Sequence, residues 1–134
     1  MYKKILIPLD CSCVDETIIG HILRMCEYFK PEIILLRVNH IHTRDGLKFL
    51  EKEAEAYMET VKRRFSDKGI RSEIVIEYGN PEVVIQRVAE ENNCDLIAFS
   101  THGHKNIMDF ILGSVADKVR HRVSIPLLLI KHSN

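Results

Sequence analysis

No stretch of the 134-residue chain is long enough and apolar enough to cross a membrane. The longest apolar run covers residues 125–130, whereas a membrane span needs roughly 18 apolar residues. The opening MYKKILIPLD contains a hydrophobic segment that is too short for a signal peptide and that ends in proline and aspartate. We therefore expect a cytoplasmic protein that does not bind membranes.

The chain also has no excess of charge of either sign. Nineteen basic and nineteen acidic residues cancel, and no stripe of lysine or arginine dominates the sequence. A nucleic-acid-binding domain usually carries such a basic stripe. We therefore expect a small molecule or another protein as the partner, and no nucleic acid.

A disulfide framework and two common nucleotide-binding motifs are missing as well. The four cysteines lie at positions 11, 13, 26 and 94, and in a reducing cytoplasm we expect them to be free thiols. Neither G-x-x-x-x-G-K-[ST] nor G-x-G-x-x-G occurs. The sequence therefore supports neither a Walker-type NTPase nor a dinucleotide-binding Rossmann domain.

What the chain does contain is a regular alternation of short apolar runs and helical patterns. The apolar runs cover residues 4–9, 32–38, 72–77, 95–100 and 126–131. Most of them are continuous, which is typical of strands that are buried on both faces of a parallel sheet. Helical stripes lie between them, so the element order is β-α-β-α-β-α-β-α-β. We predict a single α/β domain over residues 1–134, with a doubly wound five-stranded parallel sheet and four helices.

Several residues predict where helices begin. Ser12 with Asp15, and Ser114 with Asp117, have the spacing of S-x-x-D capping boxes, in which the serine accepts from a first-turn N–H. Pro81 suits the first position of the third helix. These signals predict that the first helix begins just after Ser12 and the last helix at Ser114.

One loop has the composition of a phosphate cradle. Residues 99–114, FSTHGHKNIMDFILGS, connect the carboxyl end of the fourth strand to the last predicted helix. Gly103 lets the backbone approach a ligand closely, and Gly113 with Ser114 opens a helix whose free N–H groups favour an anion. The same glycines would equally serve as turn and helix-entry residues, an alternative that loop composition alone leaves open.

Together these features resemble the universal stress protein family over essentially the whole chain. The resemblance is carried by the length, by Asp10 ending the first strand, by Val38 ending the second, and by the loop 99–114. It implies strand order 3-2-1-4-5 and an adenine-nucleotide alpha-hydrolase-like fold, with a signalling or stress-response role. It also implies homodimers that pair through the last strand, residues 126–131, an apolar edge that needs cover.

The family motif matches this loop with one exception. ATP-binding members of the family carry G-x2-G-x9-G-[ST], and here Gly103, Gly113 and Ser114 occupy the last three specified positions. Ser100 replaces the first glycine. The replacement matters if this position has a positive φ, which serine tolerates poorly. At a negative φ the hydroxyl could donate to a phosphate.

The resemblance implies a ligand and its site. The ligand would be an adenine nucleotide, ATP or AMP, alone or with Mg²⁺. It would be bound by Pro8, Leu9, Asp10, Val38, Phe99, Ser100, His102, Gly103, Gly113, Ser114 and Val115. Physical reasoning leads to the same crevice, because doubly wound sheets bind ligands where the strand order reverses, here between the first and fourth strands.

Two residues of this crevice bear on its chemistry. Asp10 is suited to accept from an adenine amino group or a ribose hydroxyl, and it could also be a turn or cap aspartate. His102 would lie beside the phosphates, but the sequence offers no paired general base and no dedicated carboxylate pair for Mg²⁺. We therefore assign no catalytic residue and expect little or no hydrolysis.

Two other functions remain open from the sequence. Cys11, Cys13, His102 and His104 follow the first and fourth strands and could form a zinc site, although C-x-C is a less usual zinc spacing than C-x2-C. Redox exchange by the two cysteines is a weaker form of the same idea. The other alternative is a nucleotide-free dimeric interaction module of the same family, for which Ser100 is the main argument.

Overall fold

The fold is organised around one parallel β-sheet with helices on both faces. The computed structural model describes residues 1–39, 45–102 and 110–132. The elements are β1 (Lys4–Pro8), α1 (Asp15–Met25), β2 (Glu32–Asn39), α2 (Asp45–Asp67), β3 (Ser72–Tyr78), α3 (Pro81–Glu91), β4 (Leu96–His102), α4 (Phe110–Arg120) and β5 (Leu127–His132). No described helix is both long and apolar enough to span a membrane.

The strands lie in the order β3-β2-β1-β4-β5, and every neighbouring pair is parallel. The predicted doubly wound five-stranded sheet is therefore confirmed. The order reverses at β1, which pairs with β2 on one side and with β4 on the other. Because the chain leaves β1 and β4 toward opposite faces of the sheet, a crevice forms beyond their carboxyl ends.

Both faces of the sheet are buried, which explains why the strands are continuously apolar. Successive residues of a strand point to opposite faces, so Ile5 and Ile7 pack with α1 and α2 while Leu6 packs with α3 and α4. The largest fully buried side chain on the first face is Phe65, and on the second it is Phe99. The two cores hold the ends of β1 and β4 in fixed positions.

The predicted start of α1 is wrong by two residues. The N-cap residue is Val14, without a side-chain cap, and the helix begins at Asp15 instead of Cys13. The Asp15 carboxylate does not accept from the Ser12 N–H, as a capping box requires; it reaches past Ser12 to the N–H groups of Asp10 and Cys11. The two residues between Ser12 and the helix start form a turn, in which the Asp15 N–H donates to the Ser12 carbonyl. The S-x-x-D spacing thus marks this turn and not the helix start.

The predicted start of the last helix is also wrong. Helix α4 begins at Phe110, so Gly113 and Ser114 lie inside it. The Asp117 carboxylate accepts from Arg120 at 2.8 Å and so pairs forward along the helix rather than back to Ser114. The helical spacing of Leu112 with Val115, Ala116 and Val119 continues the apolar stripe one turn earlier, and one glycine costs a helix only about 1 kcal/mol. The start of α3 at Pro81 agrees with its prediction.

Ser100 connects β4 to α1. Its side chain is 2% exposed, and its hydroxyl oxygen accepts from the Ile18 N–H at 2.9 Å. The residue pairs with Ile130 of β5 and has no positive φ. The condition under which serine would be strained at the first motif position is therefore not met in this chain.

Removing the Ser100 hydroxyl should destabilise the protein. In Ser100→Ala the buried Ile18 N–H loses its acceptor, so we expect the free energy of unfolding in urea to fall by about 1–3 kcal/mol. Ser124→Ala, at an exposed position, is the control and should change it by less than about 0.5 kcal/mol. Equal stability of the two variants would show that the Ser100 bond contributes nothing.

Candidate functional site

A cleft of about 240 Å³ lies at the carboxyl ends of β1, β2 and β4, between α3 and α4. The structure brings together six of the residues that the sequence predicts, namely Pro8, Leu9, Asp10, Val38, Phe99 and Val115. Four lining residues are not among the predicted ones: Leu36, Arg37, Pro81 and Ile85. The predicted crevice is thus present as a real concavity.

The unpredicted wall residues have a simple geometric origin. Leu36 precedes Val38 by two positions on β2, and both side chains pack toward the α3 and α4 face. Pro81 and Ile85 are four residues apart on α3 and therefore share one helix face. The sequence contains both spacings, but it does not show which helix closes the cleft.

The remaining predicted residues lie elsewhere or outside the described residues. Ser100 does not line the cleft, since its hydroxyl is turned to α1. Ser114 is exposed within α4, where an α-helix beginning at Phe110 already pairs its amide. His102 is the last residue of β4 and pairs with His132 of β5. The His102 side chain is not among the described parts of the structure. Gly103 and His104 lie outside the described residues, so the phosphate-cradle assignment stays a prediction.

The lining of the cleft suits a flat apolar group with a polar edge. Val38, Ile85 and Phe99 give apolar walls, and Asp10 is the one carboxylate among the described residues of the lining. Such a surface buries an aromatic ring while a few polar groups set its orientation. Arg37 borders the same cleft, and its buried Nε has no hydrogen-bond partner among the described residues.

Asp10 also shapes the turn that carries it. Its Oδ1 accepts from the Ser12 N–H at 2.9 Å, which is an Asx-type turn contact. The alternative prediction, that Asp10 is a turn aspartate, is therefore confirmed for its Oδ1 atom. The residue is exposed at the rim of the cleft, so one carboxyl group serves the turn and faces the cleft at once.

Asp15 is the functional candidate that sequence reasoning missed. It is 1% exposed, and its two oxygens accept from the Cys11 N–H at 2.7 Å and the Asp10 N–H at 3.3 Å. Burial, and after it the nearby Asp10 carboxylate, raises the pKa of Asp15 to about 8, against the opposing effect of the two N–H donors. The sequence marks this residue only as half of a capping box.

The described residues give no support to the predicted zinc site of Cys11, Cys13, His102 and His104. No group of three or more histidine, cysteine or acidic residues that could hold a metal occurs among residues 1–39, 45–102 and 110–132. Burial raises the pKa of the Cys11 thiol to about 11. The thiolate is the form that binds zinc or attacks a disulfide, so neither a zinc role nor a redox role is favoured at Cys11.

Fold and site together define a doubly wound α/β domain with a ligand cleft at the switch point of its sheet. A sequence profile described as the universal stress protein family matches residues 1–131. The universal stress protein MJ0577 of Methanocaldococcus jannaschii is 30% identical over 158 aligned positions, which cover 100% of this chain and 98% of that protein. The chain belongs to the universal stress protein family.

Solved structures agree with this assignment. A structure of MJ0577 superposes with a TM-score of 0.84 and 32% identity, covering 100% of this chain and 99% of the other. A universal stress protein in complex with cAMP has a TM-score of 0.76 and 19% identity, with 99% of both chains covered. The universal stress protein from Archaeoglobus fulgidus in complex with dAMP has a TM-score of 0.70 and 19% identity, covering 97% and 98%. The last two are likenesses of fold.

The buried Asp15 carboxyl should make stability depend on pH in a defined direction. Its pKa is raised from 3.8 to about 8 on folding, so between these values the folded state binds more protons than the unfolded state. The free energy of unfolding should therefore fall as pH rises through this window, with a slope of up to about 1.4 kcal/mol per pH unit. Asp15→Asn has no carboxyl at this position, so it should not show this fall in stability with rising pH.

Urea unfolding of the wild type and of Asp15→Asn at several values of pH measures this dependence of the free energy of unfolding on pH. Other titrating groups contribute equally to both proteins, so the difference between the two curves isolates Asp15. We expect the wild type to lose stability relative to the variant as pH rises. Parallel curves would contradict the burial of an ionisable carboxyl at this position.

Proposed function

We propose that the chain binds an adenine nucleotide, with ATP as the first candidate, in the cleft between β1 and β4. The observation that carries the proposal is the cleft itself: apolar walls of Val38, Phe99 and Ile85 meet the Asp10 carboxylate at the switch point. An adenine ring fits between such walls, and its amino group is a donor for Asp10. A ribose hydroxyl is the other donor that this carboxylate could accept from.

Family relatives support the class of ligand. The proteins described above in complex with cAMP and dAMP show that this fold accommodates adenine nucleotides. The two ligands share the adenine ring and differ in their sugar and phosphate. Recognition through the ring is therefore consistent with the apolar part of the cleft in this chain, and the choice of ATP rests on the match of Gly103, Gly113 and Ser114 to the family motif.

The phosphates would extend from the cleft toward the amino end of α4. The free N–H groups of a helix and the positive end of its dipole favour anions there, and in this chain that end is at Phe110. Gly103 and His102 lie in the segment leading to it. We propose that a contact to the Ser114 amide requires the first turn of α4 to open, because that amide is paired within the helix, whereas the Gly113 N–H is the fourth of the helix and requires no such opening.

We propose a signalling role with little turnover. Hydrolysis needs a group that activates or orients water. Asp10 is the one carboxylate among the described cleft residues, and it already accepts from Ser12. Asp15 is turned to backbone amides and is shielded from the cleft by the turn that it holds. Binding, with or without Mg²⁺, is then the function, and any hydrolysis is slow.

Mass spectrometry of small molecules released from denatured protein tests binding directly. The protein would be purified without added nucleotide, and thermal shifts with ATP, ATP-Mg²⁺, AMP and cAMP would be measured alongside. A released adenine nucleotide, or a shift that saturates, is the expected result. Absence of both would favour the nucleotide-free interaction module.

Filling the cleft should weaken nucleotide binding without unfolding the protein. In Val38→Trp the indole would occupy the space of the base, so we expect the Kd for ATP in calorimetry to rise on the order of tenfold or more. Val83→Trp is the matched control, because Val83 is exposed on α3 and does not line the cleft. Unchanged affinity in Val38→Trp would place the nucleotide elsewhere.

Dimerisation through β5 belongs to the same proposal. β5 is an edge strand of the sheet, and Leu129 is 47% exposed on it. An apolar edge strand with free backbone groups favours pairing with another strand. A second copy of the chain, related by a two-fold axis, would cover this edge.

A charge on β5 should separate the dimer. Leu129→Arg would place two like charges near the two-fold axis, and we expect sedimentation velocity at micromolar concentration to show a monomer. Tyr78→Arg is the control, because Tyr78 is similarly exposed, at 53%, on β3 at the opposite edge of the sheet. A monomeric wild type, or a dimer that only Tyr78→Arg disrupts, would contradict pairing through β5.

A further inference from the structure

The turn between β1 and α1 has an unusual backbone. Cys11 has φ of 64°, in the left-handed region that non-glycine residues rarely adopt. Holding such a residue there costs on the order of 1–2 kcal/mol. The turn therefore keeps its shape only because neighbouring groups compensate this cost.

Two side chains hold the turn from opposite sides. The Asp15 carboxylate accepts from the N–H groups of Cys11 and Asp10, at 2.7 and 3.3 Å. From β2, Nη1 of Arg37 donates to the Asp10 carbonyl oxygen at 3.1 Å. Three of the four polar groups in the two peptide units around Asp10 are thus bonded to side chains, which restricts where the Asp10 side chain points.

We propose that Asp15 is a positioning residue for nucleotide binding: it holds the β1–α1 turn so that Asp10 faces the cleft. This inference rests on the proposed function, since it assigns Asp10 to the nucleotide. Asp15 itself does not line the cleft, and its side chain is almost fully buried. Its effect on the ligand is therefore transmitted through Asp10.

Protonation of Asp15 should change the turn. An ionised carboxylate accepts at both oxygens, whereas a protonated one converts an acceptor site into a donor. The ionisable groups that face it are Asp10 and Cys11 of the turn and Tyr57 of α2, with Arg37 of β2 bonded to the same turn. We expect the turn to be held most firmly when the carboxyl is ionised.

A double-mutant cycle tests whether Asp15 acts through Asp10. In Asp15→Asn one backbone N–H meets an amide NH₂ instead of an acceptor, so the turn should relax and the Kd for ATP should rise about tenfold. Asp10→Asn should weaken binding on its own. Because both changes affect the same contact, adding Asp15→Asn to Asp10→Asn should produce little further loss.

Asp95→Asn provides a matched control for the cycle. The Asp95 carboxylate also accepts from two backbone N–H groups, those of Lys3 and Lys4 at 2.8 and 3.0 Å. It does so just before the amino end of β4, at the opposite end of the strands from the cleft. It should lower stability and leave the Kd unchanged. An unchanged Kd in Asp15→Asn, or full additivity of Asp10→Asn and Asp15→Asn, would overturn the positioning role.

An NMR titration tests the same role without a ligand and without a variant that must fold. The amide protons of Asp10 and Cys11 should shift together with a midpoint well above pH 6, because burial raises the pKa of Asp15 to about 8. Shifts of the two amides that share no common midpoint between pH 3 and 9.5 would overturn the inference, because a carboxylate bonded to both N–H groups must move both when it titrates. If the titration is seen but no nucleotide binds, the proposed function fails while the hold of Asp15 on the turn stands.

Discussion

The pairing of β1 with β2 on one side and β4 on the other is the constraint on which the candidate site depends. It requires β1 to be buried on both faces, and Ile5, Leu6 and Ile7 are fully buried there. Since the helices that follow β1 and β4 cover opposite faces, the strand ends diverge and leave a cleft. The Asp10 carboxylate, the Val38 side chain and the Phe99 ring meet in it only because of this topology.

The turn after β1 shows how a site can depend on strain. Cys11 occupies a left-handed conformation that its side chain disfavours, and the buried Asp15 carboxyl offsets the cost by accepting two N–H groups. Burying that carboxyl is itself unfavourable, as its raised pKa shows. The fold therefore gives up some stability to hold Asp10 at the rim of the cleft, an exchange that is common at binding sites.

Much of this fold could be predicted from the sequence, because a strand that is buried on both faces has a continuous run of apolar residues. Helix starts could not, since Ser12 and Asp15 have the spacing of a capping box, whereas the Asp15 carboxylate accepts from the Asp10 and Cys11 N–H groups and α1 begins only at Asp15. Family resemblance located six cleft residues but not Ile85, whose place depends on how α3 packs. The family motif predicts that Ser100 contacts the phosphates. Because side chains along β4 alternate between the two faces of the sheet, its hydroxyl instead faces α1 and accepts from the Ile18 N–H.

The cleft at the carboxyl ends of β1 and β4 is the proposed site for an adenine nucleotide. Chemical-shift mapping of the backbone amides during titration with ATP tests it most directly, because it locates the ligand as well as detecting it. We predict saturating shifts concentrated at Asp10, Val38, Phe99 and Val115, with the outer surfaces of α2 and β3 unaffected. Shifts confined to another surface, or none at millimolar ATP, would contradict nucleotide binding in this cleft.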